Sequence, residues 1–262
     1  MDKSKQEKRK TRRPLILVWG MGAIAWLLLS ASPGPRVPGS HPDTERRLTL
    51  YFSNRAGQEV IQPGKTYLNP FGEPYTIRNF EYYISDISVE DRTGKRVLLS
   101  GDTYLVDQSD SSSWVIPLKS PPSRFSSLVF QLGVDSIKNV SGVQTGALDP
   151  YKGMFWTWNT GYICAKLEGT SPAAHTAGTY FTYHIGGYKP GENVSRMIRL
   201  QLPGSANRNL VSIRISADAN KWFSGSNPIR IATNPVCHAP GELAMKIADN
   251  FKSMFTITGV QP

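Results

Sequence analysis

Apolar and polar residues alternate with a period of two along much of the chain, the spacing of strands with one face buried. Leu48, Leu50 and Phe52 alternate first, then Leu128, Phe130 and Leu132, then Ile198, Leu200 and Leu202. Val211, Ile213 and Ile215 interleave with Ser212, Arg214 and Ser216. Between Phe80 and Val89 the apolar phase slips near Asp86, as an inserted residue would cause. Further strands are predicted at 103–106, 113–117, 161–168 and 179–184. Asn69-Pro-Phe-Gly72, Thr93-Gly94, Gly186-Gly187 and Pro190-Gly191 supply turn chemistry between them. One segment has helical spacing instead: Leu243, Ile247, Phe251 and Met254, with Ala244, Ala248 and Phe255 on the same face. The pattern predicts an all-β, antiparallel β-sandwich over 48–258 with one short C-terminal amphipathic helix.

The first residues depart from this pattern. Seven Lys and Arg against two acidic residues in 1–13 account for half of the net charge of +10. An uncharged apolar run from Leu15 to Leu29 follows. That order describes a secretory leader, with residues 1–31 either cleaved or kept as an N-terminal membrane anchor. Residues 32–47 are Pro- and Gly-rich and read as an extended linker. Both readings export the body to the periplasm or cell envelope.

The charge left on the body is scattered, with no basic stripe interleaved with exposed aromatics, which argues against nucleic acid as a partner. Hydrolase and nucleotide-binding motifs are absent, so a non-enzymatic role is expected. Asp135, Asp149 and Asp218 stand among turn residues and read as local backbone acceptors. Asn139-Val-Ser141 and Asn193-Val-Ser195 match a glycosylation acceptor, a pattern common by chance. In an oxidising compartment Cys164 and Cys237 either form a disulfide, worth about 4 kcal/mol in the chain-entropy model, or are two buried thiols.

Candidate chemistry concentrates in two places. The stretch Leu148 to Tyr162 carries Trp156 and Trp158, which share a face if extended. His184, in Tyr183-His-Ile-Gly186, shares a face with Tyr180 and Thr182, away from Phe181 and Tyr183. His238 follows Cys237 just before the helix, and His175 sits in a Pro/Ala/Gly stretch. Met245 and Met254 are soft donors, but helical spacing assigns them to the core.

Several blocks resemble, in consistent order from about 48 to 255, the MbnP-like family of methanobactin-associated, copper-binding envelope proteins. They include Tyr67-Leu-Asn-Pro-Phe-Gly-Glu-Pro-Tyr75, Phe80-Glu-Tyr-Tyr-Ile-Ser85, Met154-Phe-Trp-Thr-Trp-Asn-Thr-Gly-Tyr162, Lys166-Leu-Glu-Gly169 and Phe181-Thr-Tyr-His-Ile-Gly186. The resemblance implies an exported β-sandwich that binds copper, often linked to a MauG-like di-haem enzyme, with a tryptophan oxidised in the best-known relatives. Carried over by position, it implies His184 as a metal ligand, with His238 as a second imidazole if the fold brings it near. It places Trp156 and Trp158 as cofactor-binding residues. Relatives often carry a histidine after the first-strand phenylalanine; here Phe52 precedes Ser53-Asn54, which implies a degenerate copper site. The alternative is a metal-free surface module that binds glycan or protein through the Trp156/Trp158 face. A domain that keeps only the family's structural core is the third reading.

Overall fold

A computed structural model describes residues 47–122, 124–157, 159–203 and 211–261. The leader, most of the linker and Trp158 lie outside the described residues. The elements run β1 (Leu48–Ala56), β2 (Glu59–Val60), β3 (Thr66–Leu68), β4 (Pro74–Thr76), β5 (Asn79–Glu90), β6 (Arg96–Asp107), β7 (Val115–Leu118) and β8 (Ser127–Leu132). A short helix α1 (Ser136–Val140) follows, then β9 (Phe155–Thr157), β10 (Gly161–Thr170), β11 (Tyr180–Gly186), β12 (Arg196–Gln201) and β13 (Ser212–Asp218). The chain continues through β14 (Val236–Cys237), α2 (Glu242–Phe251) and β15 (Phe255–Gln261).

The strands form two main sheets. The smaller has the order β15-β13-β1-β2, with β7 also on β1. The larger has the order β12-β8-β5-β10-β11-β14, with β6 on β5 and β9 on β10, while β3 and β4 form a separate hairpin. Alternation decides which side chains enter the core: Leu48, Leu50 and Phe52 from β1, with Ile213 and Ile215 from β13, pack in one cluster with Phe80, Tyr82, Leu128, Phe130, Leu167 and Phe181 from the larger sheet. Rings interlock edge-on there, with Phe52 against Tyr82, Phe130 and Phe255. This is a sandwich closed by aromatic packing, and the geometry suits the ring quadrupoles.

Three details refine the reading from sequence. Asp86 adopts φ of +50°, and the pairing of β5 with β6 shifts between Ser85 and Ile87, so the phase slip is a bulge. Two pairs are parallel rather than antiparallel, β1 with β13 and β11 with β14. The amphipathic helix ends at Phe251, and Met254 and Phe255 belong to a turn and a further strand. They share the apolar character of the helix face because both are core residues, with Met254 accepting from Trp222 Nε1 at 3.3 Å. Asp135, Asp149 and Asp218 each accept from a backbone N–H two residues on, as turn residues do.

Asn139 is not a glycan acceptor. Its side chain is buried, accepting from the Tyr162 N–H at 2.8 Å and donating to the Asp135 carbonyl at 3.0 Å.

The cysteines do not pair; both are buried free thiols. Cys164 lies on β10 and Cys237 on β14, and β11 runs between them. Two strand spacings are about 9–10 Å, beyond the roughly 7 Å that a disulfide spans between Cα atoms. Burial pushes the Cys237 thiol up to about 11 and raises the Cys164 thiol as well. Thiol titration of denatured, unreduced protein is expected to find two reactive groups, and none would contradict this pairing of strands.

Candidate functional site

The site forms on the face of the larger sheet that points away from the smaller one. β10 and β11 pair antiparallel, with Lys166 opposite His184 and Glu168 opposite Thr182. Leu167, Tyr183 and Ile185 turn into the sandwich core, so Lys166, Glu168 and His184 point outward. β14 then joins β11 in parallel, with Thr182 beside Val236 and Tyr183 beside Cys237. That register carries the next residue, His238, alongside His184. The two imidazoles stack with centroids 4.6 Å apart and planes 29° apart.

A two-residue strand cannot hold such a register by itself. The preceding loop is tied down by other bonds. Tyr183 Oη donates to the Asn234 carbonyl at 2.7 Å, and the Thr182 N–H to the Pro235 carbonyl at 2.9 Å. Further back, the buried Glu73 carboxylate accepts from the Ile231 and Ala232 N–H groups at 2.9 and 3.0 Å. His238 therefore sits on an anchored segment.

His184 is oriented from the side. Its Nε2 donates to Glu168 Oε1 at 2.5 Å, and Glu168 also accepts from Asn79 Nδ2 at 2.6 Å. A neutral imidazole that donates from Nε2 has its lone pair on Nδ1, free for a metal. The bond from His184, chiefly, holds the Glu168 carboxyl below its usual range. His238 is held below the ordinary histidine value of 6.5 by burial first and then by its neighbour His184, against the opposing pull of Glu168. The fold therefore favours a neutral His238, which is the form that ligates metal.

This has a consequence for stability. Because the folded value is depressed, the unfolded chain takes up the proton first as pH falls. The stability that His238 contributes is intact above 6.5 and is lost as pH falls through the folded value. His238→Gln is expected to flatten the fall in denaturant midpoint as pH drops below 6.5. An unchanged slope would contradict the burial of this imidazole.

Trp156 lies against the strand that carries His184. A Cβ on Gly186 would lie 2.6 Å from the Trp156 ring and 2.7 Å from the Tyr162 carbonyl oxygen. The indole therefore lies over bare backbone on the strand that carries His184, two residues from it. Phe155 packs its ring on Tyr162, centroids 4.9 Å apart, within a second apolar cluster of Tyr83, Leu148, Met154 and Ile163. Trp158 lies outside the described residues, and His175 is exposed in the loop before β11.

The first-strand position belongs elsewhere. Asn54 is buried between the sheets, accepting from Tyr82 Oη at 2.8 Å and donating to Gln108 Oε1 at 2.9 Å. It is thus on the opposite side of the larger sheet from His184. Sequence reading missed Glu168 and Gly186. Glu168 carried a signal, since Lys166 and Glu168 alternate as charges in an otherwise apolar strand.

The donor set suits a metal in part. Metal-ligating histidines regularly donate their second ring N–H to a carboxylate, and Glu168 already holds His184 in that way. Among the described residues no group of three or more His, Cys, Asp or Glu is placed to hold a metal ion. The chain thus offers two imidazoles, of which one is oriented by a carboxylate.

A family model described as MbnP matches residues 45–239. Among solved structures the chain is similar to MbnP from Methylosinus trichosporium, at 14% identity with a TM-score of 0.52, over 76% of this chain and 83% of that one. At that identity the likeness concerns the fold alone. No curated protein matches.

Proposed function

This chain belongs to the MbnP family, and on that premise we propose that it is an exported, non-enzymatic copper-binding protein of the cell envelope. His184 and His238 are its metal donors, and Trp156 walls the site. The observation that carries the reading is the stacked imidazole pair with Glu168 bonded to His184. Imidazole is a good ligand for copper, and two such groups with no third protein donor among the described residues make an incomplete site. Binding is therefore weaker than in a site with three or four donors. Copper would supply a redox-active Lewis acid there. The chain's own residues orient His184, keep His238 neutral and shield one side with an indole. The family resemblance also supports a MauG-like di-haem enzyme as a partner.

Titration of the folded protein with copper against a competing chelator tests this. One equivalent should bind, and the His184→Ala/His238→Ala double variant should lose it. Equal uptake by both proteins would remove the metal reading and leave a metal-free surface that uses the Trp156 face.

The basic start and the uncharged run from Leu15 to Leu29 support export. Among the described residues no helix is long and apolar enough to cross a membrane. Deleting residues 1–31 is expected to leave the body in the cytoplasm, and recovery of the truncated protein outside the inner membrane would contradict a leader.

A further inference from the structure

A buried lysine next to the imidazole pair has a role that the metal reading does not use. Lys166 stands in a cross-strand row, with Glu81 of β5 on one side and His184 of β11 on the other. It is only 7% exposed, although it lies on the outward face of the sheet. A buried ammonium is costly unless paired and hydrogen-bonded. Lys166 Nζ donates to the Gly153 carbonyl at 2.7 Å and lies 3.7 Å from Glu81 Oε1.

Gly153 is where the chain turns toward the site. It closes the 3-10 turn Pro150–Lys152 in the left-handed region, with φ of +73°. Met154 follows, wholly buried in the outer cluster, and its carbonyl accepts from the Ile163 N–H at 2.9 Å. Two residues on, Trp156 lies over Gly186. The lysine thus ties the start of the tryptophan segment to the strand that pairs with the His184 strand.

We propose that Lys166, backed by Glu81, is a positioning residue that sets the Trp156 indole against the His184/His238 pair. The proposal deepens the copper reading by assigning the device that builds its aromatic wall. Lys166 acts through the loop rather than as a ligand, because its ammonium is spent on Gly153 and Glu81. A lysine that only stabilised the fold would lower the melting temperature without moving one particular indole.

The indole N–H signals of nitrogen-15-labelled protein separate these roles without metal. The Trp156 signal is identified by its loss in Trp156→Phe. Lys166→Met is expected to shift that signal while those of Trp114 and Trp222 stay in place, and Lys166→Arg to restore it. Copper affinity in Lys166→Met should fall about tenfold, the scale for losing a supporting contact, and should not fall further in the Trp156→Phe background. An unmoved Trp156 signal in folded Lys166→Met overturns the proposal, whatever copper does. Loss of copper binding from the wild type with a shifted indole would overturn only the metal reading. Should Lys166→Met fail to fold, Glu81→Gln carries the same comparison, and an unmoved signal there is equally decisive.

Discussion

Replacing His184 by alanine is expected to lower copper affinity by more than about 100-fold while leaving the sandwich folded. Losing an outer-shell partner of a metal ligand typically costs 10- to 100-fold, and losing the ligand itself costs more. His184 is the better-held donor of the two. It lies inside β11, between β10 and β14, and Glu168 fixes its ring through Nε2. His238 stands just beyond a two-residue strand, so His238→Ala should cost less than His184→Ala. Glu168→Gln keeps a hydrogen-bond acceptor but removes the charge that favours the proton on Nε2, and the smallest loss of the three, about tenfold, is expected. Chelator competition on the three variants gives the order His184→Ala, then His238→Ala, then Glu168→Gln. His184→Ala should cost some stability, because only a fifth of the side chain is exposed and its bond to Glu168 is lost, so affinities are compared on the folded proteins. An affinity unchanged in His184→Ala would contradict the assignment.

Gly169→Ala is expected to be the most destabilising small substitution near the site. A Cβ there would fall 1.8 Å from the Thr76 carbonyl oxygen and 2.9 Å from the Phe181 ring. The oxygen is backbone and cannot rotate away. It is held because the chain from β4 into β5 crosses β10 at this point, with the Arg78 N–H donating to the Glu168 carbonyl at 2.8 Å and the Thr170 N–H to Thr76 Oγ1 at 3.2 Å. Relief therefore needs one strand to move, and overpacking of this kind costs about 3 kcal/mol or more. The same movement would drag Glu168, the adjacent residue, from His184. Chemical denaturation should show a midpoint lowered with little change in slope, and a loss below about 1 kcal/mol would contradict the close approach.

Part of the sandwich was legible because β1 and β12 bury one face only, and alternation reports that directly, whereas β5 and β10 are buried on both faces. Elements of two or three residues carry no period, so β9 and β14 left no trace in the pattern. The strand β15 was hidden for another reason, since its first residues continue the apolar spacing of α2. Candidate site residues were legible as types in context. His184 had a polar side of a strand, and Trp156 had an unusual aromatic run. What brings His184 to His238 is a parallel pairing between distant segments, secured by Tyr183, Thr182 and Glu73 through backbone contacts. No local periodicity encodes such a pairing. The cysteines illustrate the same point from the other side: a count of two left a bridge and two free thiols equally open, and the order of strands decides for the thiols.

X-ray absorption at the copper edge, on protein loaded with one equivalent, tests the His184/His238 site because it counts imidazole ligands in either oxidation state. The scattering pattern of two imidazole rings is expected, falling to one in His238→Ala. No imidazole scattering, or an identical spectrum from the His184→Ala/His238→Ala double variant, would contradict it.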